Sequence, residues 1–325
     1  MDSDQTLCPV DDHLAPAMCR LFGDVFGHPL SHAEWVWKYG SGRGHALALK
    51  QGNELLAHFG GLSRPVIYEG RDVLACQVCD VAVSSRARAS LSRKGPLYAL
   101  TTAFLDSQIG WDKPNLLGFG FPTDRAFRVA QRLGLYAEVD QMWSVTWPSL
   151  KPRPWGRLSV KSIGVHDLFR DAAQIESLWE AMSRDLAGCI MGARTPAWLK
   201  HRYLDHPRFR YELRAVQSTW SRKWLGLVVL RRHTEHLEWV DTVAPHSAWP
   251  LLLRAAQTAA ARMGLPKVEV WTTRSQLMRF TCLQPEVVLQ RSLAIQIPAN
   301  AHSPGPSPES LRDRWFLMAG DTDFR

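Results

Sequence analysis

Two halves of this chain repeat one order of features, and that repetition limits the fold more than any single motif. Trp35-Val-Trp-Lys-Tyr39 in the first half is matched by Trp198-Leu-Lys-His-Arg-Tyr203 in the second. Strand-like runs follow each anchor, at residues 46–50 and 55–59 and again at 211–216 and 225–230. An aspartate then opens an apolar run in each half, Asp80-Val-Ala-Val83 and Asp241-Thr-Val-Ala244, at a similar interval from its tryptophan anchor. Helical stripes come next. Leu97, Leu100, Thr101 and Phe104 form one, and Leu252, Ala255, Ala256, Ala259 and Met263 the other. Gly110 and Gly264 read as helix stops, and strands follow at 116–121 and 268–271. A supersecondary unit repeated in this way predicts two α/β units built alike.

The length of 325 residues suits two domains. Trp147-Pro-Ser-Leu-Lys-Pro-Arg-Pro-Trp155 divides the chain, because proline interrupts helices and favours extended connections. The expected division is 1–147, a linker at 148–160, a second domain at 161–297, and a Pro/Ser-rich tether with an aromatic tail at 298–325. No apolar run reaches the ~20 residues of a membrane helix. The acidic start Met1-Asp-Ser-Asp-Gln lacks the basic and apolar regions of a secretion signal, so a cytoplasmic location is expected.

The formal charge is +8, but the 39 basic residues are spread along the chain without a long Lys/Arg block. That distribution argues against a nucleic-acid surface and leaves room for an anionic cosubstrate. Of the six cysteines only Cys76-Gln-Val-Cys79 has metal or redox spacing. It lies in a strand-like run, where positions three apart face opposite ways, and no second Cys/His pair accompanies it. Buried thiols and no metal are expected. Walker, His-Glu-x-x-His and Gly-x-Ser-x-Gly patterns are absent, and Gly118-Phe-Gly-Phe lacks the third glycine of a dinucleotide fingerprint.

The segment richest in chemistry runs from Asp80 to Leu97. An apolar strand leads into a loop carrying Arg86, Arg88, Arg93 and Lys94, and the loop ends at Gly95-Pro96 before a helix. A helix N-terminus offers unpaired N–H groups and partial positive charge to anions, and arginines add charge-assisted bonds to phosphate. Proline suits the first helical position, although it removes one N–H donor. The second half has no glycine between Asp241 and its helix and no basic residue before Arg254, so a phosphate cradle is not expected there.

Trp37-Lys-Tyr39, Asp80-Val-Ala-Val83, Arg93-Lys-Gly-Pro96, Gly120-Phe-Pro-Thr123, Arg132-Leu-Gly134 and Gly320-Asp-Thr-Asp-Phe324 together resemble the GNAT acyltransferase superfamily in its tandem form. The nearest resemblance is to acetyltransferase-like proteins of bacterial exopolysaccharide synthesis. It implies an α/β (α+β) fold of two tandem units, each a mixed, splayed central sheet flanked by helices. It also implies an acyl-CoA cosubstrate, with acetyl-CoA first in line. Its pantetheine would run along Val81, Ala82 and Val83, and its phosphates would meet Arg86, Arg93, Lys94, Gly95, Pro96 and Leu97. The implied reaction is acetyl transfer to an amine of a sugar, an amino acid or a related small molecule, with the cleft between halves as an acceptor site. The family's glycine-rich phosphate loop is reduced here to Gly95, and the tyrosine that often precedes the next motif is Ala130.

Asp80, Tyr98 and Tyr136 are therefore the catalytic candidates: the first as base or amine ligand, the tyrosines as acids toward the leaving sulfur. Each has a structural alternative, a strand-end ion pair for Asp80 and core packing for the tyrosines. Glu34 and His58 are further groups within possible reach of a cleft. Two other functions remain open at this stage. One is a noncatalytic GNAT-derived module that binds a metabolite or protein partner. The other is a Fem-type aminoacyl transferase using charged tRNA.

Overall fold

The computed structural model describes residues 4–89, 92–93, 95–152 and 156–324. The chain divides into two compact units. Unit 1 comprises 1–66, 72–140 and 295–312, and unit 2 comprises 67–71, 141–294 and 313–325.

Unit 1 begins with strand β1 (Gln5–Pro9), followed by helices α1 (Ala15–Phe26) and α2 (His32–Tyr39). Ser31 caps α2 and Glu34 bonds back to the Ser31 amide, a reciprocal capping box that satisfies two otherwise orphan donors. Glu34, one of the sequence candidates, is thus placed at a helix end. Strands β2 (Gly44–Gln51), β3 (Glu54–Tyr68) and β4 (Arg71–Val83) lead to helix α3 (Pro96–Gln108). Strand β5 (Leu117–Gly120), helix α4 (Asp124–Arg132) and strand β6 (Tyr136–Pro148) complete the series. The first sheet has the order β1-β2-β3-β4-β5; its β1–β2 and β2–β3 ladders are antiparallel and β4–β5 is parallel.

Apolar side chains cover the first sheet from two directions. Met18 and Leu21 of α1, with Trp35 and Tyr39 of α2, form one core with Ala46, Ala48 and Cys79. Leu100, Phe104 and Leu105 of α3 form another with Phe59 and Cys76. The thiols of the Cys-x-x-Cys pair enter different cores, as strand alternation requires. Burial pushes the Cys76 thiol up to about 12.

Unit 2 runs through β7 (Leu158–Ile163), α5 (Val165–Arg170), α6 (Ala172–Asp185), the short β8 (Met191–Gly192) and α7 (Pro196–Leu199), which continues into one π-helical turn at Lys200–Leu204. Strands β9 (Glu212–Ser218), β10 (Trp224–Arg232) and β11 (Leu237–Val243) then precede α8 (Trp249–Arg262), β12 (Lys267–Thr273) and β13 (Leu289–Asn300). The second sheet has the order β13-β6-β12-β11-β10-β9-β7, with β11–β12 parallel. Its core is built from Trp147, Trp239, Trp249, Phe280 and Phe316. The high tryptophan content is spent largely on packing here.

The unit boundary falls inside β6 and inside β13. The proline-rich stretch read from sequence as a divider therefore begins as strand. Residues 301–312, read as part of an exposed tether, group with unit 1. Ser303 is buried and its hydroxyl donates to Asp106 at 3.0 Å.

Candidate active site

The parallel pairing of β4 with β5 runs from Ala75 opposite Leu117 to Val78 opposite Gly120, and there β5 ends. Strand β4 continues to Val83 without that neighbour, so the sheet opens beyond Val78. Gly120 allows the last close approach. A methyl group on it would lie 2.9 Å from the Val78 carbonyl oxygen.

Just past the opening, Asp80 takes a left-handed conformation, φ 51°. Such a backbone is unfavourable for a residue bearing a side chain and persists where surrounding bonds enforce it. The enforcing bonds are visible. Lys38 Nζ donates to Asp80 Oδ1 at 2.8 Å and Tyr39 Oη donates to Oδ2 at 2.8 Å. Both donors come from the end of α2. The backbone carbonyl of Asp80 accepts from His58 Nδ1 of β3 at 2.7 Å. Asp80, Lys38, Tyr39 and His58 are all buried. Burial alone would raise the Asp80 carboxyl, but the Lys38 ammonium, helped by Tyr39, holds it below its ordinary value. Burial and the neighbouring Asp80 push the Tyr39 hydroxyl well up.

The other sequence candidates have varied surroundings. Val81 is partly exposed, Ala82 is buried and Val83 is half-buried. Gly95 is the extended N-cap of α3, and Pro96 is its first helical residue with Leu97 after it. The Gly95 amide donates to Ser92 O at 2.9 Å. Arg86 pairs with Glu54 at 2.7 Å in an exposed contact, the kind that contributes little to stability. The Arg93 guanidinium lies over Gly134, 3.2 Å from where a methyl group would stand. Lys94 and the Arg88 side chain lie outside the described residues. Tyr98 and Tyr136 pack, half-buried, against the α3 core, and the Tyr98 ring meets His302 edge-on at 6.3 Å. Burial, with a smaller contribution from Cys76, raises the Tyr136 hydroxyl above its ordinary value. Of these candidates, Val83, Tyr98 and Tyr136 pack against the same core. Lys38 and Tyr39, which fix the aspartate, carried no role in the sequence reading beyond their place in the Trp-Lys-Tyr motif.

Unit 2 repeats the geometry with different surroundings. Tyr203 Oη donates to Asp241 Oδ2 at 2.6 Å, and Arg194 Nε donates to Oδ1 at 3.2 Å. The pairing of β11 with β12 ends at Trp239 opposite Val270, so this sheet opens at the same place. Here the chain fills its own opening. Met318 bridges Thr272 of β12, while Gly320 lies against Asp241 of β11. Arg202 donates to the carbonyls of Gly320 at 2.9 Å and Thr322 at 3.0 Å, and Arg194 donates to Asp321 at 2.8 Å. Residues 315–322 are all buried. At the entry to α8, the His246 amide is taken by the Asp185 carboxylate at 2.7 Å, where an incoming anion would meet a negative charge.

No helix among the described residues is long and apolar enough to cross a membrane. A shallow groove of about 820 Å³ opens in unit 1 at the end of β4, between Arg20 and Asp24 of α1, Gln51 and Glu54 of the β2–β3 hairpin, and Ser84 and Arg86.

No family model and no curated protein matches the sequence. Solved structures do match. A probable N-acyltransferase from Enterococcus faecalis V583 is 12% identical with a TM-score of 0.68, over 91% of this chain and 72% of that one. A GCN5-related N-acetyltransferase from Kribbella flavida is 15% identical with a TM-score of 0.63, over 91% and 71%. A tandem GNAT protein from the clavulanic acid biosynthesis pathway is 12% identical with a TM-score of 0.57, over 92% and 99%. At these identities the likeness concerns fold, and the fold is that of two GNAT-like units in tandem.

Proposed function

We propose that unit 1 is an acyl-CoA-dependent N-acyltransferase, and that its preferred donor is acetyl-CoA. The observation that carries this reading is the opening of β4 from β5 beyond Val78, beside the left-handed Asp80. Pantetheine has amide groups that can pair with a strand edge, and Val81 to Val83 supply one. The phosphates would lie toward Gly95, Pro96 and Leu97 at the start of α3, with Arg86 and Arg93 as the described basic partners.

In the reaction an amine nitrogen forms a bond to the thioester carbonyl carbon as the carbon–sulfur bond breaks. CoA leaves with that electron pair, and the proton lost by the amine restores its thiol. Alignment of the two reactants is the protein's main contribution, up to about 7–11 kcal/mol in favourable cases. Asp80 acts by shaping the backbone, since its carboxylate is already committed to Lys38 and Tyr39. The acceptor is a small amine of a sugar or amino acid. The groove beside Arg20 and Asp24 suits such a molecule because its lining combines both charges with an amide.

Calorimetry with acetyl-CoA, followed by thiol release against a panel of amino sugars and amino acids, tests this reading. Heat of binding together with amine-dependent thiol release is the expected result; absence of binding at millimolar acetyl-CoA defeats it. A second reading, a binding module without turnover, draws on the same Asp80 contacts and on the burial of Tyr136, which leave neither as a ready proton carrier at neutral pH. Binding without turnover across the panel would favour it.

A further inference from the structure

We propose that His58 is a positioning residue for acyl transfer, holding the Asp80–Val81 peptide so that the Val81 N–H is presented to the thioester oxygen. The inference rests on the acyl-CoA reading of unit 1 and adds the group that sets its geometry.

A carbonyl oxygen only accepts, so the 2.7 Å contact from His58 Nδ1 to Asp80 O requires the proton on Nδ1. Nε2 then carries the lone pair. It is buried and has no hydrogen-bond partner. Protonating it would place a charged donor where nothing accepts, and burial accordingly lowers the His58 pKa. The imidazole is neutral at pH 7 and works as a fixed N–H donor.

The peptide it grips is trans, as are all the described peptides. In a trans peptide the carbonyl and the following N–H point in opposite directions. Holding Asp80 O toward His58 therefore turns the Val81 N–H away from it. Among the described residues no side chain bonds to that amide, and the Asp80 carboxylate accepts from Lys38 and Tyr39 instead. Unit 2 provides the contrast. There the indole Nε1 of Trp239 holds the Asp241 carbonyl at 3.2 Å, and the Asp241 carboxylate itself consumes the Thr242 amide at 2.8 Å. The same peptide is gripped in both units, and only in unit 1 does the aspartate side chain leave the next amide alone. Negative charge grows on the thioester oxygen during attack, and a preoriented N–H is most effective toward such developing charge.

The test uses the full chain with acetyl-CoA labelled with carbon-13 at the thioester carbonyl, read by isotope-edited infrared spectroscopy. The bound carbonyl band is expected at lower frequency than in solution. His58→Leu should return it toward the solution value, with acetyl-CoA affinity changed less than about threefold. His58→Asn places an amide N–H near the Nδ1 position and should keep the shift, while His58→Gln, whose amide reaches the Nε2 position, should lose it. In turnover, His58→Leu should lower kcat about 10–100-fold with little change in KM, and His58→Asn should recover most of that loss. An unshifted wild-type band, or equal bands in the wild type, Leu and Gln variants, overturns the proposal while leaving acyl-CoA binding intact. Absence of binding to the wild type overturns both.

Discussion

Tyr39 donates its hydroxyl to the Asp80 carboxylate at 2.8 Å, and Tyr203 does the same for Asp241 at 2.6 Å. The pairing survives although the cation beside it differs, Lys38 from α2 in unit 1 and Arg194, lying before α7, in unit 2. The tyrosine–aspartate bond is thus a device shared by both units where each sheet opens, whereas the left-handed backbone belongs to Asp80 and not to Asp241.

Removing the Asp80 charge should expose how much unit 1 depends on that device. Asp80→Asn takes the carboxylate from a buried ammonium, a change that typically destabilises by about 3–5 kcal/mol. Urea unfolding should show the loss, and the paired change Lys38→Met with Asp80→Leu should restore a large part of it. Equal stability of wild type and Asp80→Asn would refute a structural role for the pair.

Acid should weaken the fold in two stages. His58 has a folded pKa below the ordinary 6.5, so the unfolded chain takes up that proton first and stability begins to fall as pH drops below about 6.5. Asp80 is held below its ordinary 3.8, so its contribution is complete above that value and is lost as pH falls through the lower folded one. Melting temperature against pH should follow this course, and His58→Asn should flatten the first stage alone.

One acetyl-CoA per chain is the expected stoichiometry, because residues 315–322 occupy the opening of unit 2. Calorimetry returning two equivalents would mean that this segment leaves its place on binding.

Gly320→Ala would set a methyl group 2.1 Å from the Tyr203 hydroxyl and 3.1 Å from the Asp241 Cβ. With that hydroxyl already held by Asp241, overpacking should destabilise unit 2 by about 1–3 kcal/mol. A matched denaturation series would reveal it, and an unchanged midpoint would show that the segment is loosely seated.

Thiol reagents should separate the cysteines by burial. Cys282 is exposed and should react first in the native protein, with Cys8 and Cys19 slower. Cys76, buried and raised to about 12, should react only on unfolding. Peptide mapping after brief labelling reads the order directly.

The duplication was legible because apolar periodicity and the Trp, Asp and Gly landmarks are local signals that keep their order. Asp80 and Asp241 could be aligned from sequence for the same reason, and so could the Gly95-Pro96 start of α3. The partners of Asp80 were less accessible. Lys38 and Tyr39 reach it across more than forty residues of sequence, and nothing local tells a buried ion pair from a catalytic carboxylate. His58 stood out only as a group within possible reach of a cleft; its bond is to the backbone of a residue 22 positions away, which no local pattern reveals. The strand character of residues 147–148 and the burial of 315–322 are long-range effects, in which packing overrules the local message of proline, serine and glycine.

The division of the chain also bears on how it is made. Unit 1 is completed by residues 295–312 and unit 2 by 313–325, segments translated after nearly all the other strands of both sheets. Domains commonly fold one after another as they leave the ribosome. Here neither unit has its full set of segments until residues 295–325 have been made. Trp315 and Phe316 reach their buried places only after that wait. Two units built alike thus receive their last segments nearly together, late in synthesis.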